Sequence, residues 1–518
     1  MPAHDRLCVA LLLVAVSAPA ALAAQNPPPA PPPPPAVRPA RAAPAMRPML
    51  AMRPPHMRPP RFRVPHVRGP HRFHMSGVRG TGPDSAGVSA LLGSLAQTEP
   101  AVCELAVDML GNGWGWSGPA SPANALHDLG GAVRSQRISL QYPVSDARAI
   151  PLLAASLGRS EPCVRRAGAR LLGESELPAA ARSLREGLKQ SDAKVREAAA
   201  LGLGIREDSA AYEPLIQALG DRDPEVVRMS AWAVGEYEDP RAVPALVRLL
   251  SRPEAGIRAA SAAALGDIES PLATRPLLPL LKDRDAQVRV AAAGALGSIE
   301  DSSATGALVD ALDDKDPAVR LAVVEALGSI EDHRGVTGPL VGVLRDPDEE
   351  LREAAANALG SIEDKAAVPG LVRALSDQSA AVRRAAASAL GSIEDPSAAD
   401  GLARALGDSD REVRLEAIQA LGELDELHRA PPQLIAALKD QDREVTLKAV
   451  EALGNIGDPA AISALGGLMR EESVELRRAV VEALANIEDA GVTSHLIAAM
   501  KDKDPEVRRR AAEALGDQ

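Results

Sequence analysis

One copy of a recurring pattern reads Asp283-Arg-Asp-Ala-Gln-Val-Arg-Val-Ala-Ala-Ala-Gly-Ala-Leu-Gly-Ser-Ile-Glu-Asp301. The glycine that closes Ala-Leu-Gly, here called the landmark, returns every 31 or 32 residues, with Ala485 filling one vacancy and Tyr142 another. A fixed period of this length predicts a solenoid, in which each unit contacts only its neighbours. The landmarks are Gly80, Gly111, Gly173, Gly204, Gly235, Gly266, Gly297, Gly328, Gly360, Gly391, Gly422, Gly454 and Gly516.

Each unit is predicted to form two helices. The first, represented by 242–250, has Val243 and Leu246 at helical spacing and follows an aspartate that caps it. The second starts after an Asp-x-Asp-Pro turn, as in Asp221-Arg-Asp-Pro224, which is typical of a helix start. We expect it to end at the landmark, because glycine tolerates the left-handed conformation that often closes a helix.

The pattern Asp-x-Asp-Pro-x-Val-Arg-x-x-Ala-Ala-x-Ala-Leu-Gly-x-Ile, nearly complete at 314–330 and 502–516, resembles the HEAT-repeat family. The resemblance is to the short bacterial type named after phycobilisome lyases. It implies an all-α, right-handed α-solenoid of about fourteen 31-residue helix pairs, with the second helices on the concave side. The solenoid is expected over 81–518 and is degenerate at 112–145. Members of the family include scaffolds, adaptors and a few enzymes.

Composition and charge fit such a solenoid. The chain is 46% hydrophobic but only 2% aromatic, so Ala, Leu, Val and Ile must form the core. Residues 1–80 contain eleven Arg and one acidic residue, which leaves 47 basic and 69 acidic side chains for 81–518. Because an acidic body repels polyanions, we expect no nucleic-acid partner.

The amino-terminal sequence predicts export. Arg6 precedes an apolar run and an Ala-x-Ala site at Ala21 and Ala23, which is typical of a secretory signal over 1–23. The alternative is an uncleaved anchor, since 7–24 is nearly long enough to span a bilayer. Cleavage predicts a periplasmic or secreted protein without stable membrane insertion.

Residues 24–80 are predicted to be a disordered tail, because polyproline and unopposed arginines cannot bury a core. Two arginine–phenylalanine steps, at 61–63 and 72–73, suit either an anionic partner or the chain's own acidic body. Thioether and imidazole groups in the tail suit copper. Alternatively, Met and His are simply the uncharged residues of a compositionally biased segment. The copper candidates are Met46, Met49, Met52, His56 and Met57.

Arginine stands eight residues before most landmarks. Such a row suits either a phosphate-binding surface or a ladder in which each Arg pairs with an Asp of its own or an adjoining unit, and we favour the ladder. Departures at Cys103, Val227 and Thr446 would interrupt it. Cys103 and Cys163 lie two units apart, which predicts that they are too distant for a disulfide.

Positions seven and three residues before the landmark are predicted to point outward. Along the solenoid, the residues at these positions form a basic spot at the amino-terminal end, a nearly uncharged stretch over 201–294 and an acidic line beyond it. Trp232 is interpreted as an exposed anchor, with core packing as the alternative. The predicted partner-binding residues of this patch are Arg228, Trp232, Ala263, Val290 and Gly294.

A second tryptophan feature interrupts a degenerate unit. The stretch 111–119 is rich in glycine and contains Trp114 and Trp116. It fits a cap over the exposed end of the solenoid or, alternatively, a loop that binds a ligand or peptide.

Catalytic motifs are weak. The paired His-Glu motifs of the HEAT-like hydroxylases that act on a modified lysine are missing, as are a P-loop and Gly-x-Ser-x-Gly. The sequence therefore predicts an exported, monomeric, non-catalytic scaffold that binds a protein or peptide on its concave face, with no cofactor and no metal in the solenoid. The alternatives are a phycobilin-lyase-like or deoxyhypusine-hydroxylase-like enzyme, or a copper-handling tail on a structural rod.

Overall fold

A computed structural model describes residues 84–97, 143–330, 334–424 and 426–516. All regular elements in these ranges are helical. The signal peptide, the tail with its copper candidates, Cys103, Trp114 and Trp116 lie outside the described residues.

The described helices form one leading helix, α1, and twelve consecutive pairs in which each even-numbered helix is the first of its pair. Second helices pack on second helices in chain order, so the fold is an α-solenoid. The helices are α1 Ser85–Ala96, α2 Ile150–Ser156, α3 Pro162–Glu174, α4 Pro178–Gly187, α5 Ala193–Arg206, α6 Tyr212–Ala218, α7 Pro224–Gly235, α8 Val243–Leu249, α9 Ala255–Asp267, α10 Thr274–Leu277, α11 Ala286–Ile299, α12 Thr305–Ala311, α13 Pro317–Ser329, α14 Thr337–Val343, α15 Glu349–Ile362, α16 Val368–Ala374, α17 Ala380–Ile393, α18 Ala399–Ala405, α19 Arg411–Glu423, α20 Pro432–Ala437, α21 Arg443–Ile456, α22 Ile462–Gly467, α23 Val474–Ala485, α24 Val492–Ala499 and α25 Pro505–Gly516.

Aspartates start both helices of a pair, as the sequence predicts. Before α8, the Asp239 carboxylate accepts the backbone N–H of Arg241 at 2.9 Å and begins a short 3₁₀ turn. Before α7, Asp223 accepts the N–H groups of Glu225 and Val226. Each carboxylate satisfies backbone donors that a helix leaves unpaired at its first turn.

The predicted role of the landmark glycine is wrong. Most second helices run one or more residues past it, and several of them end three residues later at a glutamate in the left-handed conformation, such as Glu363 with φ 55°. The glycine instead permits close packing. A Cβ on Gly297 would lie 2.8 Å from Cα of Ala326 in the next second helix. Small size, and not backbone freedom, explains why this position is glycine.

The left-handed glutamates carry a conformational cost that glycine avoids. We expect Glu363→Gly to raise the free energy of unfolding by about 1 kcal/mol. The same position already holds a left-handed glycine at Gly457, with φ 70°. The reciprocal variant Gly457→Glu should therefore lose a similar amount, and urea denaturation of both variants checks the pair. If both variants raise the free energy of unfolding, or both lower it, this explanation is contradicted.

The arginine ladder is confirmed, and its aspartate belongs to the adjoining unit. Arg289 donates Nε–H and Nη2–H to the two oxygens of Asp314, at 2.7 and 2.9 Å, and Nη1–H to the Asp283 carbonyl at 2.8 Å. The Arg383 guanidinium likewise holds the pKa of Asp408 below its usual value, against the effect of partial burial. The pairs are Arg196–Asp221, Arg258–Asp283, Arg289–Asp314, Arg320–Asp346, Arg352–Asp377, Arg383–Asp408, Arg414–Asp440 and Arg477–Asp502.

Two of the predicted interruptions of the ladder, at Val227 and Thr446, lie in the described residues. Where Val227 replaces the arginine, Arg252 stands at the position of the aspartate. Where Thr446 replaces it, Glu471 stands there. The first junction thus loses both members of the pair, whereas the second loses the arginine but keeps an acidic residue, Glu471, which is exposed and so loses little by lacking a counter-charge.

Cys163 is disulfide-bonded. The two other cysteines of the chain, Cys8 and Cys103, lie outside the described residues. The partner of Cys163 therefore lies outside the described residues, and the expectation that Cys103 is too distant to bridge Cys163 stays a prediction.

Candidate protein-binding surface

The outward surface of a second helix consists of three positions: seven and three residues before the landmark, and one residue after it. Because residues i, i+4 and i+8 share one face of a helix, each set forms a ridge. The ridge of α9 is Ala259, Ala263 and Asp267, and that of α11 is Val290, Gly294 and Ser298. The third position escaped sequence analysis because it lies beyond the predicted end of the helix.

The first two ridge positions of α3 and of α5 are buried, so the predicted basic spot at the amino-terminal end is wrong. Arg166 and Arg170 are 1% and 5% exposed, and Glu197 is 3% exposed. Helix α1 covers part of α3, with Leu95 packed in one cluster with Val164. The outward direction inferred from a regular repeat does not hold where other chain segments cover the helices.

Trp232 is also buried, at 7% exposure, which confirms the core alternative and corrects the exposed-anchor interpretation. Its Cζ3 atom would lie 2.6 Å from a Cβ on Gly204, so the indole occupies the space over that glycine on α5. Arg228 beside it is engaged within the protein. Its Nε–H donates to Glu225 at 2.6 Å, and its Nη2 lies 3.6 Å from Glu197.

The acidic line near the carboxyl-terminal end is largely neutralised by neighbouring bases. Glu451 pairs with Lys448 at 2.7 Å, and Glu482 pairs with Arg510 at 2.7 Å. Glu513 pairs with Arg509. These exposed pairs contribute little to stability, but they cancel the charge that the sequence suggested as a binding feature.

Between these regions lies the bare face, which we define as Ala259, Ala263, Val290 and Gly294 on the ridges of α9 and α11. Ala259, Ala263 and Gly294 are half-buried, and Val290 is 7% exposed. A Cβ on Gly294 would have no neighbour within 4 Å, so the helix backbone itself is accessible there. The structure thus brings three of the predicted partner-binding residues, Ala263, Val290 and Gly294, onto adjacent ridges.

Asp267 closes the α9 ridge at its carboxyl-terminal end. A Cβ on Gly235 would lie 3.1 Å from its Oδ2, so the carboxyl lies over the backbone of α7 although the residue is exposed. Loss of hydration there, together with the negative charges of Glu236, Glu238 and Glu269, raises the pKa of Asp267 to about 7. The corresponding residue of α11 is the neutral Ser298.

A raised pKa makes the ionised form of Asp267 destabilising in the folded protein. The unfolded chain titrates near 3.8, so this contribution to stability falls as the pH rises from about 4 to 7. We expect Asp267→Ser to raise the free energy of unfolding at pH 8 by about 1 kcal/mol, allowing for solvent screening, and by less at pH 4.5. Chemical denaturation at both pH values, with Ser298→Ala as the control, measures the difference. A gain that is equal at the two pH values would contradict the assignment.

Among the described residues, no group of three or more His, Cys, Asp or Glu side chains has an arrangement that suits a metal ion. Over the same ranges, no helix combines the length and the apolar character needed to cross a bilayer.

Comparison with solved structures finds other helical-repeat proteins. The complex of CpcE and CpcF of phycocyanin lyase from Nostoc sp. PCC7120 is 27% identical, with 43% of this chain and 91% of that chain covered and a TM-score of 0.30. A structure of Kap95p with RanGDP is 16% identical, with 71% and 58% covered and a TM-score of 0.46. Importin beta crystallised in an ammonium sulfate condition is 17% identical, with 71% and 60% covered and a TM-score of 0.47. The chain therefore spans less than two thirds of these last two.

No curated protein matches the sequence significantly. The family model for HEAT repeats matches six overlapping stretches that together span 183–516, more than half of the chain. The matched stretches are 183–266, 212–285, 274–337, 337–422, 400–475 and 431–516. With its paired helices, close-packed landmark glycines and arginine ladder, the chain belongs to the HEAT-repeat family.

Proposed function

We propose that this chain is a non-catalytic, monomeric scaffold that binds a protein or peptide partner on the outward surface of its second helices, centred on the bare face. The observation that carries the proposal is the bare face itself. Its four residues are uncharged and small to medium-sized, whereas most ridge positions beyond it carry charged or polar side chains such as Glu353 and Arg384, with Leu321, Leu415 and Leu447 as exceptions. An uncharged surface within a charged one favours protein contact.

The test uses peptides displayed on phage and selected on the purified protein. We expect selected peptides to lose at least tenfold in affinity for Ala263→Arg and for Gly294→Arg, because a long charged side chain would occupy the bare face. Ser388→Arg is the matched control, since Ser388 occupies the same ridge position on α17 and is exposed. Peptides that bind the bare-face variants as tightly as the control would contradict the proposal.

Export to an oxidising compartment is part of the proposal. Cys163 is disulfide-bonded, and disulfides persist mainly outside the reducing cytosol. Fractionation of expressing bacteria, followed by mass spectrometry of the mature amino terminus, tests this. Recovery in the cytosolic fraction with 1–23 retained would contradict it.

A further inference from the structure

We infer that Cys163 is bonded to Cys103, and that this disulfide holds α1 firmly on α3 only while the protein is in an oxidising compartment. The inference concerns the amino-terminal end of the solenoid and does not depend on what binds the bare face. It follows from the surroundings of Cys163, from the point at which α1 ends and from the number of cysteines in the chain.

Cys163 lies where the end of α1 meets the start of α3. It is the second residue of α3 and is 4% exposed. Leu95, in the last turn of α1, belongs to one apolar cluster with Cys163, Val164 and Ala167. This cluster is separate from the main core of the solenoid. The side chain of Cys163 therefore packs beside the carboxyl-terminal turn of α1.

The chain that leaves α1 brings Cys103 within reach of this position. Helix α1 ends at Ala96, and Gln97 caps it. Cys103 follows Gln97 by six residues, and a chain of that length extends over at most about 20 Å. A disulfide needs its two Cα atoms about 4.4–6.8 Å apart, which such a tether permits. The larger distance expected from two intervening regular units does not apply, because α1 packs directly on α3.

The number of cysteines leaves two candidate partners within the chain. The sequence contains three cysteines, so the alternative to Cys103 is Cys8. Cys8 lies within 1–23, the predicted signal peptide, and cleavage of that peptide removes it from the mature protein. A bond within the chain that persists after export must therefore use Cys103.

Formation of the bond needs an oxidant, which we identify by class as a disulfide donor of the exporting compartment. The thiolate of one cysteine attacks the donor disulfide and releases one donor thiol. The second cysteine then attacks the mixed disulfide and releases the other donor thiol. The two cysteines thus lose two protons and two electrons, and the donor takes them up as two thiols.

The bond is expected to determine how firmly α1 is held. Helix α1 is anchored by Val88 in the main core, by Leu95 in the cluster around Cys163 and by the backbone N–H of Ser85, which donates to Asp146 at 2.9 Å. The bond closes a loop of about 60 residues, and a cross-link of that length stabilises a fold by restricting the unfolded chain. Reduction should therefore loosen α1 and uncover Val164, which is 1% exposed when α1 is in place.

Peptide mapping of the protein purified from exporting bacteria tests the pairing. Free thiols are blocked with N-ethylmaleimide, the protein is digested without reductant, and linked peptides are identified by mass spectrometry. We expect one linked pair that contains Cys103 and Cys163 and separates on reduction. A link from Cys163 to Cys8, a link between the Cys163 residues of two chains, or a blocked thiol at Cys103 would each overturn the inference.

Hydrogen exchange of the same protein tests the role of the bond. Reduction of the wild type with dithiothreitol should speed exchange of the α1 amides at least about tenfold, because opening of α1 is then no longer opposed by the cross-link. Cys103→Ser should exchange at the fast rate with or without reductant, and Cys8→Ser, the matched control, should behave as the wild type. Helix α17 is the internal control, since it contacts only neighbouring units. Exchange in α1 that reduction leaves unchanged would overturn the role assigned to the bond.

Discussion

Replacing Arg289 by Met is expected to lower the free energy of unfolding by about 3–5 kcal/mol. Arg289 is 4% exposed and joins Asp314 of the next unit to the Asp283 carbonyl of its own. Methionine fills part of the volume but leaves the Asp314 carboxylate partly buried without its counter-charge. The cost is therefore that of an uncompensated charge at the junction between α11 and α13 and not merely that of a lost contact.

Urea unfolding followed by circular dichroism at 222 nm measures the loss. Arg241→Met is the matched control, because Arg241 also pairs with an aspartate but its side chain is 74% exposed. An exposed pair is worth less than about 1 kcal/mol, so the control should change little. Similar losses for the two variants would show that burial does not determine how much a ladder pair contributes to the free energy of unfolding.

A double variant separates charge from packing. Removing Asp314 as well, in Arg289→Met with Asp314→Leu, should recover a large part of the loss, because no buried charge then remains unpaired. Hydrogen exchange should locate the effect of the single variant in α11 and α13, since units of a solenoid contact only their neighbours. Losses that simply add would show that the two side chains do not interact.

The repeat and its ladder were predictable because both depend on sequence period. An arginine and an aspartate that recur in step indicate a pair, but the period alone does not say whether the aspartate belongs to the same unit or to the next. Only the packing of the second helices decides that, and it places Asp314 opposite Arg289. The 25-residue separation between Arg289 and Asp314 is visible in the sequence, but it indicates a contact only when the packing of α11 against α13 is known.

The surface was harder to predict, because exposure depends on segments outside the repeat. Arg166, Glu197 and Trp232 occupy outward positions of a regular unit, but neighbouring structure buries them. Asp267 was missed because the helix was predicted to end at the landmark, one residue too early. The bare face was recognised because it depends only on side-chain size and charge along the ridges.

The landmark itself provides the second large effect, since two glycines of α11 should respond in opposite directions to the same substitution. Gly297→Ala is expected to lower the free energy of unfolding by about 2 kcal/mol, because the new Cβ would lie 2.8 Å from Cα and 2.9 Å from Cβ of Ala326. Backbone atoms on α13 cannot move aside as the end of a flexible side chain can, so α11 and α13 must separate.

Gly294→Ala is the matched control, three residues earlier in the same helix, where a Cβ would meet nothing within 4 Å. There alanine should raise the free energy of unfolding by about 0.5–1 kcal/mol, because glycine is a poor helix former. Urea denaturation of the two single variants measures both signs under one condition. If both substitutions stabilise the protein, the close packing of α11 and α13 is not what requires glycine at the landmark. If both destabilise, the backbone at Gly294 is not open, and the bare face loses its accessible floor.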